Sequence, residues 1–362
     1  MTVTLAGVRA GRGVEFAWLT VTGVDRLCAD AVAITFEVPG ELGGRYAFRP
    51  GQALTLRAWV EGREERRSYS ICSPAGGPLR IGVREIPGGL FSTRLVRRTR
   101  PGDRVQVAPP SGGFVADLAR PAHHVFVAAG SGITPVLSIA ATVLACPRSR
   151  MTLFYGNRTS ATVMFAEELA DLKDTAPARV QLVHVFSREA REPELFTGRL
   201  DPARLRVLLP ALTPLAEVAH WWLCGPYTMV TGAREVLAGF GVPPARVHQE
   251  LFYVEEPPPA PPRLTAGAVG AVSEVTVVLD GRTTVVTVPR DVTVLEGAQR
   301  ARPDLPFACR SGVCGTCRAR VVEGRVDMRR DHALDAAEIA AGYVLTCQSL
   351  PVTPRVTIDY DS

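Results

Sequence analysis

Lysine is almost missing: Lys173 is the only one, although lysine and arginine together number 41. Positive charge is carried by arginines scattered among 36 acidic residues, and a formal net charge of +5 is modest for 362 residues. Such a balance argues against the clustered basic footprint of a nucleic-acid binder. Cysteine is sparse too, eight in all, and four of the eight follow no spaced pattern, which argues against a disulfide framework. None of His123, His124, His184, His220, His248 and His332 pairs with another at metal-ligand spacing. Haem and di-iron sites are therefore unsupported, and each histidine is expected at a strand edge or on the surface. The chain start shows no basic segment followed by an apolar block, so no signal peptide is evident and a cytoplasmic, reducing setting is expected. Charge is absent from Pro121 to Pro147, about the length of a membrane crossing, but Gly130-Ser131-Gly132 and Pro135 would break such a helix in its middle. No internal repeat is present.

What is present is an apolar fraction of 46%, enough for sizeable cores in two or three domains. After an unpatterned extension, 1–14, short runs rich in β-branched and aromatic residues follow one another at 18–24, 32–38, 53–60, 79–85 and 104–108. Pro-Gly and Gly-Gly pairs separate the first three, which predicts an antiparallel β-barrel or sandwich over 15–117. Two features in it point to a nucleotide's pyrophosphate. Arg67-Ser68-Tyr69-Ser70 closes one strand, and Gly88-Gly89-Leu90-Phe91-Ser92 opens a short helix over 92–98. Glycines before a helix start present free N–H groups to phosphate, and a nearby arginine can chelate the same anion.

From 118 to 253 the pattern changes to alternating β and α, the mark of a doubly wound parallel sheet. Its entry is a strand, 123–129, then Gly130-Ser131-Gly132-Ile133-Thr134-Pro135, then an apolar helix, 136–145, with Pro135 at its first position. Further strands are expected at 151–155, 180–186 and 221–224 and helices at 162–173 and 202–209. The polar or small residues just after the strands, Gly156-Asn157-Arg158, Ser187-Arg188 and Cys224-Gly225-Pro226, are the expected ligand contacts. Ser187 and Arg188, with Arg158 beside them, suit the 2′-phosphate of NADPH, whereas an inward Glu189 would favour NADH.

A proline-rich linker, 254–272, follows; fully extended it would reach on the order of 60 Å and let the last domain swing. That domain, 273–362, carries Cys309, Cys314 and Cys317 in a loop of small residues and Cys347 far downstream. The spacing C-x4-C-x2-C…C is that of a [2Fe–2S] cluster, while a zinc knuckle would usually take two paired C-x2-C arms. Strands are expected at 274–280, 283–288, 318–322 and 355–360, with a helix at 294–301.

R-x-Y-S followed by G-G-x-x-S in a barrel, then G-S-G-I-T-P without the third glycine of the ordinary dinucleotide fingerprint, resembles the ferredoxin-NADP reductase superfamily. The last domain resembles a plant-type ferredoxin of β-grasp fold, including the closing Tyr343-Val344-Leu345-Thr346-Cys347-Gln348-Ser349. In order and detail the chain resembles the oxygenase reductases, those serving phenylacetyl-CoA epoxidase and steroid hydroxylation among them. The resemblance implies that Arg67 holds flavin phosphates, Tyr69 packs on the isoalloxazine, Ser70 lies near its N5, and Gly89 and Ser92 cradle the pyrophosphate. It implies that Gly130, Gly132, Thr134, Pro135, Cys224 and Gly225 form the nucleotide loop and nicotinamide pocket. FAD is the expected flavin, with FMN open because no residues for the adenine half are identifiable. NADPH delivers two electrons together and the cluster accepts one, so a flavin must lie between them. The expected function is transfer from NADPH through FAD and the cluster to a separate oxygenase. Alternatives are an NADH-using reductase of another oxygenase, an electron-transfer component of a larger dehydrogenase, and a redox-sensing module. Ferredoxins of this type are typically acidic, whereas Arg310, Arg318, Arg320 and Arg325 flank this cluster loop, so the partner's docking face stays open.

Overall fold

In the computed structural model the described residues are 15–60, 62–118, 120–253, 271–334 and 336–362. The N-terminal extension, and the proline-rich linker up to residue 270, lie outside them. The chain separates into two compact units, one spanning Phe16–Glu255 and the other containing the segment that runs to Ser362.

The first unit opens with strands β1 (Ala17–Cys28), β2 (Ala31–Glu37), β3 (Ala53–Val60), β4 (Arg63–Ser70) and β5 (Leu79–Arg84), helix α1 (Leu90–Arg98) and strand β6 (Arg104–Val107). They form one antiparallel sheet in the order β4-β3-β6-β1-β2-β5. A bridge between Ile71 and Ile81 joins its two ends and closes it into a barrel. Alternation along β2 explains how this barrel meets the next domain. Val32, Ile34 and Phe36 point into the barrel core, while Ala31 and Ala33 on the other face belong to the core of the α/β domain. Each large apolar side chain buried this way contributes about 1.5–3 kcal/mol.

The α/β domain comprises β7 (His123–Ala129), α2 (Ile133–Leu144), β8 (Arg150–Asn157), α3 (Ala166–Thr175), β9 (Val180–Phe186), α4 (Pro202–Leu212), β10 (Val218–Pro226), α5 (Tyr227–Gly239) and β11 (Val247–Tyr253). Its sheet is wholly parallel, in the order β11-β10-β7-β8-β9. Chain order reverses between β7 and β10, and the crevice outside their carboxyl ends is where such a fold takes its ligand. The Asp201 carboxylate accepts from the Arg204 N–H at 2.8 Å and caps α4, a contact of about 1 kcal/mol.

The second unit holds β12 (Val272–Leu279), β13 (Arg282–Pro289), α6 (Val294–Gln299), β14 (Arg318–Glu323), β15 (Val326–Met328), α7 (Ala336–Ala340), β16 (Tyr343–Leu345), β17 (Ser349–Pro351) and β18 (Arg355–Asp359). A mixed sheet, β13-β12-β18-β14-β16, packs beneath α6 as a β-grasp, and β15 pairs with β17 apart from it.

Several elements depart from expectation. Helix α2 starts at Ile133, so Pro135 is its third residue; its missing N–H is still one of the unpaired donors of a first turn. The glycine turn before it is a 3₁₀ turn, Gly130–Gly132. Helix α3 starts at Ala166, later than expected, because Phe165 takes a left-handed backbone (φ 58°) and puts its ring into the core. Strand β11, helices α5 and α7 and the short strands β15, β16 and β17 had no sequence assignment. No helix among the described residues is long and apolar enough to cross a membrane.

Candidate redox sites

On the flavin side, Gly88 turns the chain with φ +75° and Gly89 precedes α1. A methyl group at Gly89 would lie 2.8 Å from Ser92 Oγ and 3.0 Å from the Ile86 carbonyl, so only glycine lets the turn close. The Ser92 hydroxyl is spent on that turn: it accepts from the Ile86 N–H at 3.0 Å and donates to the Gly89 carbonyl at 3.3 Å. It shapes the turn, and the first turn of α1 leaves N–H groups without helical partners, donors of the kind an anion takes. Arg67, on β4, pairs with Glu65 at 2.7 Å. Tyr69 stacks on Phe91 at 6.3 Å, and burial pushes its phenol far up, so it stays neutral.

Ser70 ends β4 and meets the α/β domain. Its hydroxyl lies 3.4 Å from Glu250 Oε2, a residue 180 positions away on β11. Glu250 stands beside Cys224 across the β10–β11 ladder. Burial pushes the Glu250 carboxyl up to about 8, so it holds a proton at neutral pH. Burial, then Glu250, drive the Cys224 thiol well above its ordinary range, so it is a neutral wall and no nucleophile. The switch point is tight: a Cβ on Gly132 would sit 2.2 Å from the Cys224 carbonyl oxygen, and one on Gly225 3.2 Å from the Ala129 nitrogen. Two glycines therefore allow the turns after β7 and β10 to touch. Thr134, fully buried, donates to the Ser131 carbonyl at 2.6 Å and packs against Gly82 of the barrel.

Sequence reasoning missed Glu250 and Arg84. Arg84, at the end of β5, reaches across the seam: its guanidinium donates to the Thr162 carbonyl, faces Asp30 at 3.3 Å and would lie 3.1 Å from a Cβ on Gly130. A cation is thus held beside the glycine turn. The buried carboxamide of Asn157 lies at the end of β8 beside the Tyr155 hydroxyl, which donates to the Gly130 carbonyl at 2.9 Å. Arg158, expected at the adenosine, forms an ion pair with Asp30. Ser187 and Arg188 are exposed at the end of β9, with backbone N–H groups held by the Asn157 and Arg158 carbonyls. Glu189 turns away from them: its Oε2 accepts from the Ser160 N–H (2.7 Å) and hydroxyl (2.8 Å), and its Oε1 pairs with Arg191 at 2.7 Å.

At the opposite, amino-terminal end of the sheet two histidines, His123 and His124, correct an expectation. His124 is fully buried, its Nδ1 accepting from the Trp222 indole at 3.2 Å, and His220 Nδ1 lies 3.1 Å from His248 Nε2. Adjacent parallel strands bring rings together that lie far apart in the chain; His123 and His124 are interior groups, while His220 and His248 are half-buried, His248 on the edge strand β11 as expected. Burial pushes His123 and His248 down to about 4 and His124 down to about 3.

In the second unit the four cysteines are free thiols that face one another in two pairs, Cys309 with Cys314 and Cys317 with Cys347. No three His, Cys, Asp or Glu side chains among the described residues converge on a single-ion site. Two pairs of thiols are what a two-iron cluster asks for, and a lone zinc ion would need one convergent set. Arg310 (φ 55°), Gly312 (φ 82°) and Gly315 (φ 66°) turn the loop inward. The Ser311 N–H lies 3.4 Å from Cys309 Sγ, and the N–H of Gly312 points at Cys347, so the backbone offsets thiolate charge. The residues present therefore fit a [2Fe–2S] group.

Family models match each part: an oxidoreductase FAD-binding domain over residues 19–115, an oxidoreductase NAD-binding domain over 126–235 and a 2Fe-2S iron-sulfur cluster binding domain over 277–352. The chain is similar to one of the subunits of 1,2-phenylacetyl-CoA epoxidase from Escherichia coli K12, with 41% identity covering 96% of this chain and 98% of that one. It is also similar to the ferredoxin reductase component of 3-ketosteroid-9-alpha-monooxygenase from Rhodococcus rhodochrous, 33% identical over 98% of this chain and 99% of the relative. Phthalate dioxygenase reductase shares the fold, with a TM-score of 0.63 at 23% identity over 95% of this chain and 98% of that one. With that identity along nearly its whole length, the chain belongs to the family of oxygenase reductases that join FAD-binding, NAD-binding and 2Fe-2S domains in one polypeptide.

Proposed function

We propose that this reductase draws on NADPH and serves a separate oxygenase, with a phenylacetyl-CoA epoxidase as the partner of choice. The bound flavin supplies a group that accepts a hydride and gives electrons up singly, and the cluster supplies a one-electron outlet. The chain's own residues do the rest. Ser70, Cys224 and Glu250 wall the place where the nicotinamide meets the flavin, and protonated Glu250 fixes the Ser70 hydroxyl there and holds a proton beside it. Arg84, Gly130, Gly132 and Thr134 take the nucleotide's phosphate charge at the start of α2. Arg67, Gly89 and the first turn of α1 do the same for the flavin, with Tyr69 against its ring. Cys309, Cys314, Cys317 and Cys347 hold the cluster.

The observation that carries the choice of NADPH is the position of Glu189: committed to Ser160 and Arg191, it leaves Arg188 and Ser187 to meet the ribose. Arg158, paired with Asp30, lies beside them, its carbonyl accepting from the Arg188 N–H. The partner rests on the phenylacetyl-CoA epoxidase relative, and the more distant steroid monooxygenase relative makes a steroid oxygenase the second reading. Stopped-flow reduction with NADPH and NADH tests the first point; a KM for NADH equal to or below that for NADPH would reverse it. Turnover of phenylacetyl-CoA by the epoxidase oxygenase component with this reductase tests the second, with a steroid oxygenase as the competing acceptor.

A further inference from the structure

The cluster loop and the fourth cysteine come from different parts of the second unit, so something must keep Cys347 in register with Cys309–Cys317. Gln348 is placed to do so. It is buried, and its carboxamide Nε2 stands 2.9 Å from the Arg310 carbonyl, 3.0 Å from the Cys347 carbonyl and 3.6 Å from Cys347 Sγ. Arg310 lies inside the loop with a left-handed backbone, an arrangement a non-glycine residue keeps only when its surroundings hold it. Beside it, a Cβ on Gly312 would lie 3.1 Å from Gln348 Cγ, so the absent side chain at Gly312 is what admits the glutamine. The backbone of Gln348 is itself anchored, its carbonyl accepting from the Arg329 N–H at 2.9 Å.

We propose that Gln348 is a positioning residue that staples the cluster loop to Cys347 and, through its amide N–H on the Cys347 sulfur, sets the reduction potential of the cluster. One-electron reduction adds a negative charge that spreads onto the ligand sulfurs, and a donor aimed at a ligand sulfur stabilises the reduced form more than the oxidised one. The carboxamide has two N–H bonds: one serves Arg310 and the other is shared between the carbonyl and sulfur of Cys347. The proposal rests on the four thiols holding a [2Fe–2S] cluster.

The test uses the full-length holoprotein. Gln348→Leu removes both donors while keeping bulk, and its cluster midpoint potential, from a redox titration followed by EPR, is expected to fall relative to the parent. Potentials are compared per intact cluster, with iron and sulfide counted in each preparation, and the rate of flavin bleaching by NADPH should stay unchanged. An unchanged potential at full cluster occupancy overturns the proposal. Should Gln348→Leu fail to assemble a cluster, the parent protein still decides it. With glutamine labelled by ¹⁵N in its side chain, pulsed EPR of the reduced cluster is expected to show a coupling to that nitrogen, and its absence would overturn the proposal. Parent protein without any [2Fe–2S] spectrum would instead sink the cluster reading beneath it.

Discussion

The two redox sites are built on opposite plans. In the second unit three of the four thiols share one short loop, turned inward by the left-handed backbones of Arg310, Gly312 and Gly315. In the first unit the corresponding place is assembled from a barrel strand end, a glycine turn and two parallel strands, with Ser70 and Glu250 180 positions apart. A local site is secured by the conformations of a few residues. A dispersed one depends on the packing of two domains, here the seam of Ala31, Ala33 and Phe114 with α2 and α3. Damage should therefore be confined in the first case and spread in the second.

The largest effect expected is at a ligand. Cys347→Ala should reduce cluster content to background and abolish electron passage to cytochrome c, while NADPH still bleaches the flavin; loss of flavin reduction as well would show that the two sites are not separable. Next comes Glu250→Gln, which keeps the shape and removes the titrating proton, and should slow flavin reduction by roughly 100-fold. Parent activity should decline as pH rises through about 8, where Glu250 loses its proton, and the variant should lack that break. The folded-state value lies above the unfolded one, so the carboxyl's contribution to stability is likewise present at low pH and lost as pH rises through about 8.

The same contrast explains what could be read before the structure. The cysteine spacing and the G-S-G-I-T-P turn are contiguous, and their chemistry is visible in the residues themselves. Glu250 sits in an ordinary strand, His-Gln-Glu-Leu-Phe, and Arg84 in another; only parallel pairing of β10 with β11, and the barrel's approach to Gly130, give them a role. Arg158 follows a strand, the place expected of a phosphate ligand, and the fold sets it beside Asp30 on the β1–β2 turn, a pairing no sequence pattern announces. His123 and His124 misled for the same reason, since sequence separation says nothing about stacking across strands.

Smaller effects sharpen the comparison within the first unit. Arg188→Ala should raise the KM for NADPH by about 10- to 100-fold, the worth of one charge-assisted contact of about 1.5–3 kcal/mol, and leave that for NADH unchanged. Gly132→Ala forces a methyl group toward the Cys224 carbonyl and should cost about 1–3 kcal/mol in thermal or denaturant unfolding. The histidine cluster gives the mildest signature. His123, His124 and His248 are held neutral in the fold, with Arg150, Arg246, Glu217 and Asp117 the charges that face them and His220. Their folded values lie below the unfolded one of 6.5, so the unfolded chain binds more protons and stability should fall as pH drops from about 6.5 toward 4. Unfolding midpoints across that window, in parent and in His248→Gln, measure it.

The central claim is that a single polypeptide takes electron pairs from a nicotinamide at one site and releases single electrons at the other. Anaerobic titration of the purified holoprotein with NADPH, followed by visible absorbance and EPR in parallel, addresses it directly. The account predicts that flavin absorbance bleaches and that the EPR signal of a reduced [2Fe–2S] cluster grows in the same titration. A colourless protein, or a flavin that bleaches fully while the cluster stays oxidised, would contradict it.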